Sequence, residues 1–185
     1  MDMNELLAQY PAIAEKVSKM GKIKQGPFNK KRYAKSIEEW NRFFPEDLQK
    51  MNQEFASAEI IERKSVYTKT AICYVSEGCF HTIPVRDILW VYAYVVKESM
   101  NFIPTGKQHQ VRVWDRYGDM HIVTMTQTGP FTKKSPAEEA ISKMRELIAP
   151  VRPGIIFGYS QDIQNFINTD IGAVAAKVDQ DSQVN

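Results

Sequence analysis

The chain is poor in the residues from which most enzyme sites are built. It has 2 cysteines, 3 histidines and 9 glycines in 185 residues. Two thiols, Cys73 and Cys79, are too few for a disulfide framework or an all-cysteine zinc site. They flank Ser76-Glu77-Gly78, so a cross-strand disulfide fits the spacing, but the favoured reading is two free, half-buried thiols. No G-x-S-x-G elbow is present. Thr105-Gly106-Lys107 keeps only the end of a phosphate-loop signature and reads as a turn. The histidines His81, His109 and His121 fall on separate segments. Cys79 and His81 share a strand face, and no further donor joins them at a known ligand spacing. The expectation is therefore no catalytic, cofactor or metal residue, with Asp87 a lone acid anchoring strand entry or pairing with Arg86 or Arg112.

Long apolar runs are also missing. None approaches the ~20 residues that span a bilayer. The opening M-D-M-N-E-L-L has early acids and no basic n-region, so it does not read as a signal peptide and a cytoplasmic location is expected. The formal net charge of +2 is too small to imply a polyanionic partner by itself.

What the chain does have is periodicity. Leu6, Leu7, Tyr10, Ile13, Val17 and Met20 form a helical stripe, interrupted by Pro11 and closed by Gly21. Residues 21–35 read as a basic linker. Ser36 with Glu39 has the capping-box spacing and predicts a helix opening there, and Pro45 divides the stripe that follows. From Glu59 the pattern turns to short β-branched and aromatic runs. Ile88–Lys97 is apolar at nearly every position and predicts a strand covered on both faces. Residues 108–115 and 120–127 predict a hairpin around Arg116-Tyr117-Gly118-Asp119. Ser135-Pro136-Ala137-Glu138 is the strongest local signal: a cap, a first-turn proline and a reciprocal carboxylate open an amphipathic helix to about Ala149. A short strand over 154–158 and a last helix after Ser160 follow.

These elements predict an α+β fold, with a mostly antiparallel sheet of about six or seven strands packed by the 136–149 helix. The expected organisation is a helical extension with a basic linker over 1–57, the sheet domain over 58–169, and a weakly ordered tail over 170–185. Trp90, Val91, Tyr92, Val95, Ile122, Ile141 and Leu147 are the expected core. Binding to a protein or peptide, without catalysis, is the leading function. The alternative is nucleic-acid or anionic-surface binding through Lys22, Lys24, Lys30, Lys31, Arg32 and Lys35, where Phe28 and Tyr33 interleave with the cations. An enzyme with a spatially assembled site is a third reading, and self-association is left open.

The strand Asp87-Ile88-Leu89-Trp90-Val91-Tyr92, the hairpin W-D-R-Y-G-D, the helix ending R-E-L-I-A-P, and Gly158-Tyr159-Ser160 resemble a group of uncharacterised bacterial proteins with a D-I-x-W-V-Y strand and a G-Y-S motif. The resemblance covers about residues 67–165 and implies no activity. The strand-rich body is, more weakly, similar to small pleckstrin-homology-like domains, but this chain continues past the capping helix.

Overall fold

The computed structural model describes residues 2–183. Over these residues the fold is α+β, with six α-helices and eight strands in two four-stranded sheets, neither closed into a barrel. The single sheet of six or seven strands expected from the sequence is thus replaced by two. Pro84 ends one strand, the 3-10 turn Val85–Asp87 redirects the chain, and the next strand joins a different sheet. The chain divides into two compact units at the Arg86/Asp87 junction. That boundary differs from the one expected near residue 58, because the first sheet is built into the core of the N-terminal helices.

In the first unit, α1 (Met3–Leu7) and α2 (Pro11–Met20) are separate helices, the second starting afresh at Pro11. Asn52 Oδ1 accepts from the Ala12 and Ile13 amides at 3.0 and 3.3 Å, satisfying donors that a helix start leaves over. Then come α3 (Lys30–Trp40) and α4 (Pro45–Ser57). Strands β1 (Ile60–Ile61), β2 (Ser65–Tyr67), β3 (Ala71–Ser76) and β4 (Cys79–Pro84) pair antiparallel in sequence order. Met3, Ile13, Trp40, Met51, Phe55 and Phe80 are buried in one apolar cluster. Cys73 lies opposite Thr82 and Cys79 opposite Ser76, so the thiols do not face each other; both are free and buried.

In the second unit, β5 (Ile88–Met100), β6 (Ile103–Asp115) and β7 (Met120–Thr128) form an antiparallel meander. Helix α5 (Pro136–Ile148) packs on it, and Ser135 caps α5 as expected, its Oγ accepting from the Glu138 amide. Strand β8 (Ile156–Phe157) adds parallel to β5. Helix α6 (Gln161–Gln183) follows, bent at Asp170. The backbone there leaves the helical region, and Asp170 Oδ1 caps the second half by accepting from the Ala173 amide at 2.9 Å.

The expected weakly ordered tail is instead the second half of α6, with Val174 and Val178 buried against Trp90 and Tyr92; Val184 and Asn185 lie outside the described residues. Gly154 makes this docking possible. A Cβ there would lie 2.1 Å from the Val178 carbonyl oxygen, while the Gly154 amide donates to Ser182 Oγ at 3.1 Å. Of the expected core, Trp90, Val91, Tyr92 and Ile141 are buried. Ile122 and Leu147 are half-buried, and Val95 is 40% exposed because β5 runs on into a part of the sheet that leaves it open. Among the described residues no helix is long and apolar enough to cross a membrane.

Candidate binding surface at the end of the second sheet

The six cations singled out in the sequence do not sit on a flexible linker. Lys30, Lys31, Arg32 and Lys35 are on α3, which begins six residues before Ser36. Lysine, arginine and alanine are good helix formers, and Tyr33 extends the stripe of Ile37 and Trp40 upstream. The capping-box reading of Ser36 and Glu39 is accordingly corrected. Ser36 is buried mid-helix and donates to the Tyr33 carbonyl at 2.8 Å. Glu39 turns inward to His81 Nδ1 at 2.9 Å, under a stacked Tyr74 ring. Lys22 and Lys24 precede the helix on an extended segment held to the β3–β4 turn: the Lys24 amide donates to the Gly78 carbonyl, and the Asn29 amide group donates to the Lys24 and Glu77 carbonyls. Arg32 is ion-paired with Glu77. Lys22, Lys24, Lys30 and Lys31 are exposed, Lys35 is half-buried, and the six are distributed over two elements.

The histidines are likewise committed to local structure. His109 lies between Ser135 Oγ (3.2 Å) and Thr128 Oγ1 (3.0 Å), and His121 Nε2 is 3.2 Å from Asp115 Oδ2. The β6–β7 turn brings Asp115, Asp119 and His121 together, their ligand-type atoms within 4.8 Å of one another. Sequence reading missed this trio because the turn, not a fixed spacing, assembles it. Its hydrogen bonds hold the turn. Asp115 Oδ1 accepts from the Tyr117 and Asp119 amides at 2.9 and 3.0 Å, and Oδ2 faces His121. Burial pushes the Asp115 carboxyl upward, but the hydrogen bonds from His121 and these amides outweigh it and hold its pKa below the ordinary carboxylate value.

Asp87, at the entry to β5, pairs with Arg116, where the sequence suggested Arg86 or Arg112: Arg116 Nε lies 3.2 Å from Asp87 Oδ1. Arg116 and Arg152 both reach Asp179 Oδ1, at 2.9 and 2.6 Å. Burial raises the pKa of both thiols, so neither is poised as a thiolate nucleophile. The two motifs behind the family resemblance meet in space. Trp90 Nε1 donates to the Gly158 carbonyl at 2.7 Å, and Tyr159 stacks on Trp90 at 6.0 Å between ring centroids.

The feature that packing leaves unexplained is at the far end of the second sheet. The pairing of β7 with β6 ends at Lys107↔Thr128, whereas β5 and β6 continue together to Met100↔Ile103. Four residues at ~3.4 Å rise project this two-stranded ribbon by roughly 14 Å. Its two-residue turn is Asn101-Phe102, both with left-handed φ (50° and 65°), as a type I′ turn requires. Asparagine suits the first position. Glycine is the usual choice at the second, and an aromatic L-residue there costs ~1–2 kcal/mol. Phe102 nonetheless occupies it and is fully exposed; Met100 and Ile103 beside it are 68% and 67% exposed.

Phe131, 88% exposed, lies in the loop after β7, and Lys107 Nζ donates to the Thr132 carbonyl at 3.1 Å, tying that loop to the base of the ribbon. Lys97 and Lys107 pair at the base of the ribbon and Lys133 and Lys134 follow in the loop tied to it, with Glu98 the one acid in residues 97–107 and 128–135. No family model, no curated protein and no solved structure matches the chain. The surface is therefore read from its own geometry.

Proposed function

We propose that the protein is a non-catalytic module that attaches to anionic lipid membranes through the β5–β6 hairpin tip. The reading keeps the binding role expected from the sequence. It replaces the protein or peptide ligand with a lipid surface, and moves the anionic-surface contact from residues 19–35 to the end of the second sheet. The observation that carries it is Phe102, held in a strained left-handed conformation with its ring wholly in solvent, between Met100 and Ile103.

A projecting apolar tip suits a soft phase that closes around it, whereas a protein partner would need a matching hollow. Burying a Phe-, Ile- or Met-sized side chain is worth ~1.5–3 kcal/mol each, and each lysine close to an anionic leaflet adds ~1 kcal/mol. Met100, Phe102 and Ile103 with Lys97, Lys107, Lys133 and Lys134 supply both contributions.

Co-sedimentation with vesicles of phosphatidylserine and phosphatidylcholine tests this. Binding is expected with phosphatidylserine, weakening with salt, and little with phosphatidylcholine alone. Phe102→Asp with Ile103→Asp is expected to abolish it without altering the melt, since both residues are exposed. Equal binding by the double variant, or none by the parent chain, overturns the proposal.

A further inference from the structure

The bend in α6 encloses a second feature, unrelated to the hairpin. Between the two halves of α6 and β8 lies a cleft of about 470 Å³, lined by Ile156, Ile163, Phe166, Ala173, Val174 and Lys177. The bend is built in by hydrogen bonding: Asp170 leaves the helical conformation and caps the second half, while Thr169 Oγ1 donates to the Asn165 carbonyl at 2.8 Å. Packing of Ile167, Val174 and Val178 against Trp90 and Tyr92 anchors both halves to the sheet. The cleft is thus a feature of the native fold and stays open to solvent on one side.

Its lining decides what it takes. A water molecule needs two to four polar partners, and the only polar side chain on these walls is Lys177. The size falls within the ~300–1,000 Å³ of small-molecule sites, which are mostly apolar with few polar groups fixing orientation. Lys177 Nζ is engaged by Asp181 at 2.9 Å, but both side chains are well exposed, so this screened pair exchanges readily for another anion. We propose that the cleft binds an acyl chain ending in a carboxylate, the chain lying against Ile156, Ile163, Phe166 and Val174 and the carboxylate meeting Lys177. Lys177 is the one cation on an otherwise apolar wall, and its charge selects this occupant over an uncharged one.

Trp90 and Trp114 belong to the same apolar cluster as Ile156 and Ile163, which provides the readout. Dibrominated stearate, titrated below its micelle concentration into the full chain, is expected to quench tryptophan fluorescence saturably. Ala173 is exposed, so Ala173→Phe is expected to fold normally by circular dichroism while losing most of the quenching. Lys177→Gln is expected to weaken binding about three- to five-fold, the scale of an exposed ion pair, and the methyl ester of the same chain should bind the parent protein as weakly.

Non-saturable quenching, quenching unchanged in a folded Ala173→Phe variant, or a dimer in solution whose interface covers Phe166 each overturns the proposal. Phe102→Asp should leave the titration unchanged, so the cleft stands or falls independently of membrane attachment.

Discussion

The indole N–H of Trp90 donates to the carbonyl oxygen of Gly158 at 2.7 Å, joining residues 68 apart in the chain. Gly158 has a left-handed φ of 97°, and its own amide donates to the Val91 carbonyl at 2.9 Å. The turn after β8 is thereby stitched to β5 from both sides. Trp90 stacks on Tyr92 with ring centroids 4.1 Å apart, and Tyr159 packs against both rings.

Trp90→Phe isolates the hydrogen bond, because it keeps most of the aromatic surface. The Gly158 carbonyl loses its donor, and because Gly158 is exposed the loss is the net worth of a hydrogen bond, ~0.5–1.5 kcal/mol. Urea denaturation should show a destabilisation of that size with an unchanged m-value. An effect below a few tenths of a kcal/mol would mean that Gly158 finds water and that the bond does not hold the turn.

Gly154→Ala tests how the second half of α6 is held. The added methyl would lie 2.1 Å from a backbone carbonyl, which no side-chain rotation relieves. Overpacking of this kind costs ~1–3 kcal/mol. Hydrogen exchange should report the loss locally: amides of residues 171–183 exchange faster, while those of β6 change little. Uniform acceleration throughout the second unit would show that this helix is part of one cooperative core.

Much of this fold was legible in local sequence, and the misreadings share one cause. Ser135 was read correctly as a helix cap because Pro136 excludes the helix interior on the N-terminal side. Ser36 and Glu39 have the capping-box spacing and failed, because nothing between Lys30 and Lys35 breaks a helix and the buried partner of Glu39, His81, is 42 residues away. The α6 tail was read as weakly ordered because its small residues, Gly172, Ala173, Ala175 and Ala176, look non-committal alone. What orders it is the close approach of Gly154, in another segment, to Val178 and Ser182. The hairpin tip was hidden for a related reason. Asn101, Pro104 and Gly106 are loop-type residues taken locally, yet the paired strands run right up to the two-residue turn, to Met100↔Ile103.

Asp115 makes a prediction about acid. Its folded pKa lies below the ordinary value, so its contribution to stability is present above the unfolded pKa of ~3.9 and is lost as pH falls through the folded value. Asp115→Asn keeps an oxygen for the Tyr117 and Asp119 amides and removes the charge facing His121. The variant should be less stable than the parent near neutral pH, and the difference should shrink as pH falls below ~4. Denaturant melts over that range measure it. A difference independent of pH would assign the loss to shape rather than charge.

Phe102→Gly separates the needs of folding from those of binding. At φ 65° glycine is the residue a type I′ turn prefers, so the substitution relieves ~1–2 kcal/mol of local strain, partly offset by ~0.5–1 kcal/mol of added freedom in the unfolded chain. The melt should be unchanged or slightly raised. Vesicle binding should move the other way: losing the ring removes ~1.5–3 kcal/mol of apolar burial, a fall of roughly ten- to a hundred-fold in affinity for phosphatidylserine vesicles. A turn selected only for stability would show no such opposition. If binding is untouched while stability rises, Phe102 is an ornament of the turn and the membrane contact lies elsewhere.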